Sequence, residues 1–276
     1  MDSPDIFDRF ARRLRRDRAA PDYADHDFLR AAMLDGIDER LGSVKRAFVD
    51  VLDLGCFDGA FVPPPGAKVT RIDSGKIWAA GGIEADEDRL PVAPESFDLI
   101  VSAGVLDSVS DVPGALVQIR RALRPDGLFL GAFVGGASLS TARTAFLEAE
   151  ADRPAARFHP MIDVRSAGDL LVRAGFALPV ADSEALSVRY PDLFRLIGDL
   201  RGMAASNVLK GRVSLTRRAL GAAATAFAGR ADPDGRVTER FDLIFLTGWA
   251  PSPDQPQPAR RGSATASLSA AIGRQS

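Results

Sequence analysis

Phe48-Val49-Asp50-Val51-Leu52-Asp53-Leu54-Gly55-Cys56-Phe57-Asp58-Gly59 passes from a short apolar run rich in β-branched residues into Asp-x-Gly-x-x-x-Gly. A run of that kind is the pattern of a strand buried on both faces, as in the middle of a parallel sheet. Ligands of open α/β sheets sit outside the carboxyl ends of such strands, where glycine lets the backbone come close to the bound molecule. Asp53, Gly55 and Gly59 suit a turn of this sort, and they equally suit a bare strand-to-helix turn.

The residues that follow narrow the choice. Lys68-Val69-Thr70-Arg71-Ile72-Asp73 reads as a second strand closing on a carboxylate about 20 residues past Asp53, the spacing at which an acidic residue reaches ribose hydroxyls. Ile83-Glu84-Ala85 is a short strand leading into Asp86-Glu87-Asp88-Arg89-Leu90-Pro91, and Ser96 to Ser102 is another buried strand. Ser110 or Asp111 caps a helix with Val112, Leu116, Ile119 and Leu123 facing inward, and Pro125-Asp126-Gly127 turns into the next strand. Strand and helix alternating in this way imply right-handed crossovers and a parallel sheet.

Four blocks, Val51 to Gly59, Val69 to Asp73, Asp86 to Pro91 and Leu123 to Leu130, together resemble the class I S-adenosylmethionine (SAM) dependent methyltransferases. The resemblance implies an α/β, Rossmann-like fold: a seven-stranded, mostly parallel sheet of order 3-2-1-4-5-7-6, the last strand antiparallel, with helices on both faces. It also implies a cofactor, SAM. The turn of Asp53, Gly55, Cys56 and Gly59 would hold its methionine part, Asp73 the ribose and Asp86 the adenine amino group, with Glu87 and Ser102 completing the pocket. Arg18-Ala19-Ala20-Pro21-Asp22-Tyr23 resembles the Arg-Ala-Ala-x-x-Tyr segment that caps SAM in biotin-pathway methyltransferases, which makes Tyr23 a candidate lid residue or else a packing tyrosine.

Three features depart from that pattern. Phe57 stands where the family usually has glycine, so its side chain either points away or fills space that SAM would use. Pro63-Pro64-Pro65 leaves room for one helical turn at most after Gly59, where the family has a helix whose amino end favours the SAM carboxylate. Both changes weaken the same part of the cofactor site. Leu106-Asp107-Ser108-Val109 replaces Leu-His-Trp-Val, so an acid/base histidine is absent. Asp107 could serve only with a raised pKa, and an exposed loop carboxylate is the expected reading.

The second half resembles the bacterial relatives of respiratory complex I assembly factor 5, through Pro160 to Arg165, Leu170 to Val180, Arg189 to Leu193, Asp199 to Asn207 and Leu246 to Pro251. That family's mitochondrial member is understood to hydroxylate an arginine of a complex I subunit. The resemblance implies a protein or carrier-protein substrate, a complex I subunit among the candidates, and points to Tyr190, Arg201 and Asn207 as substrate-facing. Each also has a structural reading: a tyrosine packing before a helix, a surface arginine and a helix-ending asparagine. Two functions are therefore expected to compete. One is SAM-dependent modification of a protein or carrier-bound substrate. The other is a non-catalytic assembly factor with a weakened or lost SAM site.

Composition sets the frame. The 276 residues are 46% hydrophobic and 26% charged, with a formal net charge of -2 and a pI near 5.8, which gives no basic surface for nucleic acid. A single cysteine, Cys56, excludes an intrachain disulfide and a cysteine-built metal site, and with only His26 and His159 no metal centre is expected. No run is apolar enough to span a membrane and no signal-peptide core opens the chain, so the cytoplasm is expected.

Residues 1–43 are expected to form a helical cap, 44–250 the methyltransferase-like domain and 251–276, rich in Pro, Ser, Ala and Arg, a disordered tail. Residues 4 to 19 read as an amphipathic helix on Phe7, Phe10 and Leu14, packed on the domain with its arginines in solvent. A second helix follows from Asp25 to Leu41. Helices are also expected over 139–151, 163–174, 216–229 and, with proline at its first position, 191–201. Strands are expected over 176–182, 185–190 and 240–247.

Overall fold

The computed structural model describes residues 5–79 and 81–255. Seven strands form one sheet in the order β3-β2-β1-β4-β5-β7-β6. They are β1 (Asp50–Leu54), β2 (Lys68–Asp73), β3 (Ile83–Glu84), β4 (Phe97–Ala103), β5 (Leu123–Gly135), β6 (Ala177–Tyr190) and β7 (Val237–Trp249). β1 to β5 pair in parallel, and β7 runs antiparallel between β5 and β6. The expected order and the antiparallel last strand are both present.

Helices cover both faces, which is why the central strands are apolar without alternation. α2 (Phe28–Gly42), α4 (Ser140–Ala149), α6 (Leu193–Gly202) and α7 (Arg217–Ala228) share a core with Val101, Leu130 and Phe245. α3 (Val112–Ala122) and α5 (Val164–Ala174) share the opposite one with Ile100, Phe129 and Ile244. Each fully buried large side chain contributes about 1.5–3 kcal/mol through the area it removes from water. α2 lies so close to the sheet that a Cβ on Gly36 would come 2.6 Å from the Phe245 ring. Side-chain caps start α3, α5, α6 and α7. Asp111, Asp163, Asp192 and Thr216 accept from the amides of Gly114 (2.8 Å), Ser166 (3.0 Å), Arg195 (2.8 Å) and Ala219 (3.1 Å).

Several boundaries differ from expectation. Residues 177–190 form one strand, because Ser183 and Glu184 stay paired with Ile244 and Leu243 of β7. Pro191 lies outside α6, whose cap is Asp192. After Gly59 the chain runs to β2 without any helix. Gln255 Nε2 donates to Asp126 Oδ1 and to Ala250 O, both at 2.9 Å, and the expected tail from Pro256 on lies outside the described residues.

α1 (Arg9–Ala19) precedes the domain, and the segment before it is stitched to the loop after α6. Asp8 N–H donates to Val208 O and Lys210 N–H to Ile6 O, each at 2.8 Å, while the buried Phe7 meets the His159 ring edge-on at 4.7 Å. No described helix is long and apolar enough to cross a membrane.

Candidate functional site

The strand order reverses between β1 and β4, and the site lies at the carboxyl ends of β1, β2 and β4, where such a reversal opens a crevice. Asp53 stands near the end of β1, Asp73 ends β2 and Ser102 lies near the end of β4. Gly55 makes the turn with φ 73°, and a Cβ there would meet Val105 Cγ1 at 2.4 Å. The Gly55 and Cys56 amides both donate to Ile72 O, at 2.7 and 3.2 Å, which ties the turn to β2. Cys56 is buried, and burial pushes its thiol up to about 12. Gly59 closes the turn with φ 73° and an amide bond to Cys56 O. Asp86 and Glu87 follow β3, and Tyr23 sits in a 3₁₀ turn, Ala20–Asp25.

Phe57 adopts φ 46°, a left-handed conformation that a non-glycine residue takes at a cost of about 1–2 kcal/mol. Its ring turns inward. It stacks on Tyr23 at 5.0 Å, meets Trp78 at 5.7 Å and carries the Arg16 guanidinium 3.8 Å above its centroid. Of the two options the sequence leaves for this side chain, it fills the crevice.

α1 overturns the reading of its arginines as solvated. Phe10 is 77% exposed and Leu14 36%, while Arg12 and Arg16 are buried. Arg9, Arg12, Arg13 and Arg16 recur at helical spacing and turn toward the carboxylates after β2 and β3. Arg16 Nε donates to Asp73 Oδ1 at 2.9 Å and its Nη2 to Oδ2. Arg12 grips Glu87 in bidentate fashion at 2.8 and 2.9 Å. Arg13 reaches Asp86 at 2.8 Å, and Arg9 reaches Asp86 at 3.2 Å and Asp88 at 2.6 and 2.7 Å. Charge attraction here outweighs the burial of two small apolar faces, because bidentate arginine–carboxylate pairs are among the strongest polar contacts.

The residues expected to hold SAM do not fit it in this arrangement. Asp73 already accepts from Arg16 twice, from Gly75 N–H at 2.7 Å and from Phe57 N–H at 3.1 Å. Burial would raise its pKa, but Arg16 and the two amides hold it below the usual carboxylate range. Between α1 and Asp86, Glu87 and Asp88 only about 10 Å³ remains, room for no more than one water. Two acceptors at the neighbouring strand ends are left over. Asp53 Oδ2 and Ser102 Oγ are buried without a hydrogen-bond partner among the described residues, and burial pushes the Asp53 pKa up to about 6.

On the far side of Phe57 lies a cavity of about 740 Å³, over the carboxyl ends of β4 and β5 and under α6 and the loop after it. Met33, Phe146, Phe158, Ile197 and Phe241 supply apolar wall. Arg30, at 5% exposure, donates to Cys56 O at 3.0 Å and to Asp58 at 3.1 Å and keeps its Nε unpartnered. His159 accepts from Val208 N–H through Nε2, and burial lowers its pKa to about 4, so the ring is neutral and carries its proton on Nδ1. Asp107 lines the same cavity. It is half-buried rather than an exposed loop carboxylate, and burial, offset in part by Arg12, raises its pKa to about 6.

Among the expected substrate-facing residues, Arg201 and Asn207 reach this cavity. Asn207 is engaged in holding loops, donating to Ala156 O at 2.8 Å and accepting from Leu209 N–H at 2.9 Å. Tyr190 lies in the core at 2% exposure, with burial and the nearby Asp199 raising its pKa. Sequence reasoning missed Arg30 and the arginine face of α1. The signals were present: an arginine interrupting the inward face of α2, and the 9, 12, 13, 16 spacing. Among the described residues, no cluster of three His, Cys, Asp or Glu is placed to hold a metal ion.

Comparison with known proteins gives three findings. A family described as "Methyltransferase domain" matches residues 23–179. "Arginine-hydroxylase NDUFAF5, mitochondrial" of Danio rerio is 34% identical over 95% of this chain and 88% of its own, and the malonyl-[acyl-carrier protein] O-methyltransferase of Laribacter hongkongensis is 29% identical over 86% and 87%. The YcgJ protein of Bacillus subtilis superposes with a TM-score of 0.55 at 15% identity, over 79% of this chain and 99% of that one, a likeness of fold.

Proposed function

The chain belongs to the methyltransferase-domain family that includes the arginine hydroxylase NDUFAF5, and from that premise we propose that it is an enzyme modifying a protein or carrier-bound group in the cavity over β4 and β5. The observation that carries this reading is the cavity itself. Its volume lies in the range of ligand sites, its wall is mainly apolar, and it opens at the strand ends where such folds place chemistry. SAM is the cofactor of this reading, and assembly of respiratory complex I its biological setting.

The charge of the cavity favours one kind of recipient. Arg15 and Arg201 face it without an ion pair among the described residues, beside Arg30, Arg157 and Arg212, which are paired with Asp58, Glu150 and Asp8, and across from Asp27 and Asp107. A group bearing negative charge, such as a carrier-bound carboxylate, is attracted there, and an arginine side chain must rely on Asp27 and Asp107. The test is to incubate the chain and SAM with malonyl-loaded acyl carrier protein, and separately with arginine-bearing complex I subunits of the same organism. Intact-mass spectrometry of each recipient gives the answer. A gain of one methylene on either, with S-adenosylhomocysteine released, supports the reading, and unchanged masses with a folded chain defeat it.

A second reading, an assembly factor that holds its partner without catalysis, is favoured by the fully engaged Asp73. It predicts that Asp107→Asn leaves complex I assembly intact.

A further inference from the structure

The mismatch between the cofactor carboxylates and their present partners has a structure of its own. One face of one helix meets the carboxylate that ends β2 and the three that follow β3: Arg16 on Asp73, Arg12 on Glu87, Arg13 on Asp86 and Arg9 on Asp88. We propose that α1 is a built-in plug of the cofactor site: α1 and SAM compete for Asp73, and the chain takes up SAM only when α1 withdraws. The inference rests on the reading of the chain as a SAM-dependent enzyme and adds to it how the cofactor gains entry.

Three observations support competition over simple loss of the site. First, a carboxylate offers about four lone-pair positions, and Asp73 has four donors, so a ribose hydroxyl can bind only after Arg16 leaves. Second, the plug is incomplete. It covers the places assigned to ribose and adenine and leaves Asp53 Oδ2 and Ser102 Oγ, near the ends of adjacent strands, buried and unpartnered. An orphaned buried polar group is costly, and a site abandoned to a permanent helix would not need to keep them. Third, α1 is held mainly by charge. With Phe10 77% and Leu14 36% exposed, little apolar area is lost when it lifts, and what it gives up is chiefly its arginine–carboxylate pairs. Pro21 and the 3₁₀ turn after α1 break the helix and supply the joint.

Arg16→Ala removes the plug's central contact. It also leaves Asp73 buried without its counter-ion, so a second variant is needed. Phe7→Ala loosens the docking of α1 at its amino end, against His159, and orphans no charge. Isothermal titration of the full chain and both variants with SAM and S-adenosylhomocysteine, with hydrogen exchange of residues 9–19, is the experiment. Both variants are expected to bind about tenfold tighter than the native chain, since each enlarges the competent fraction. Saturating SAM is expected to speed exchange across α1. Unchanged or weaker binding by Phe7→Ala, or slower exchange across α1 with SAM, overturns the plug and makes α1 a lid over bound cofactor. Micromolar binding identical in all three proteins overturns the plug and leaves the enzyme reading standing. No binding by any of the three folded proteins at millimolar SAM overturns both.

Discussion

Replacing Asp53 by asparagine will stabilise the chain, by an amount that grows with pH. Asp53 is 1% exposed, its Oδ2 has no partner, and burial moves its pKa from 3.8 to about 6, with Arg71 4.0 Å away as partial relief. Between those values the native carboxyl keeps a proton that the unfolded chain has released. The native state therefore binds more protons, and stability falls as pH rises through that window and is level above it. At about 1.4 kcal/mol per pKa unit, the charge costs the native state about 1.5 kcal/mol near pH 5 and about 3 kcal/mol near pH 8. The Asp53→Asn side chain cannot ionise and escapes this cost. Asp107 shifts in the same direction and is common to both proteins, so it cancels in their difference. Urea unfolding of native and variant chains near pH 5 and near pH 8 gives the two differences. A variant advantage that is equal at the two pH values, or absent near pH 8, refutes the reasoning.

Three further outcomes follow from the packing. Gly36→Ala drives a methyl into the Phe245 ring and should cost about 1–3 kcal/mol, read as an earlier urea midpoint with an unchanged slope. His159 is held neutral with a pKa near 4 against an ordinary 6.5, so its contribution is lost as pH falls from about 6.5 through 4, and His159→Gln should flatten the acid limb of the stability profile. Glu239 is fully buried and accepts from the amides of Thr141 and Ala142 at 3.1 and 2.8 Å, at the amino end of α4. Glu239→Ala should cost about 1–2 kcal/mol and speed amide exchange in the first turn of α4, whereas equal exchange in both proteins would show that the cap is idle.

The sheet was legible because its signals are local. The apolar runs before Gly55, Asp73 and Ser102 are enough to place β1, β2 and β4, and the run from Arg240 to Thr247 marks the last strand, while the order of the strands was what the family resemblance implied. The ends of elements were less so. Ser183 and Glu184 look like a break, yet pairing with β7 carries them through, a tertiary effect that propensity does not contain. The orientation of α1 was the largest miss. Helical periodicity put Phe10 and Leu14 inward, because an amphipathic pattern is ordinarily read by its apolar side. The deciding partners, Asp73 and the Asp86-Glu87-Asp88 run, lie 57 to 79 residues away in sequence, and no window on the helix itself contains them. The same distance hid Asp107, whose burial comes from packing that its short loop does not advertise.

The backbone bonds joining residues 6–8 to residues 208–210 tie the strand-end crevice to the cavity beyond Phe57. Ser206 and Asn207 of the cavity wall directly precede the residues that hold Ile6 and Asp8, and Arg212, on the same wall, bonds Asp8 at 3.1 Å. A helix α1 that lifts as proposed therefore pulls on the mouth of this cavity. Two ligands that meet through one such connection obey reciprocity: whatever factor an occupied cavity applies to SAM affinity, SAM applies to the cavity's ligand. A recipient that moves the 206–212 loop would then act on the proposed cofactor site without touching it, through the extended residues that precede α1.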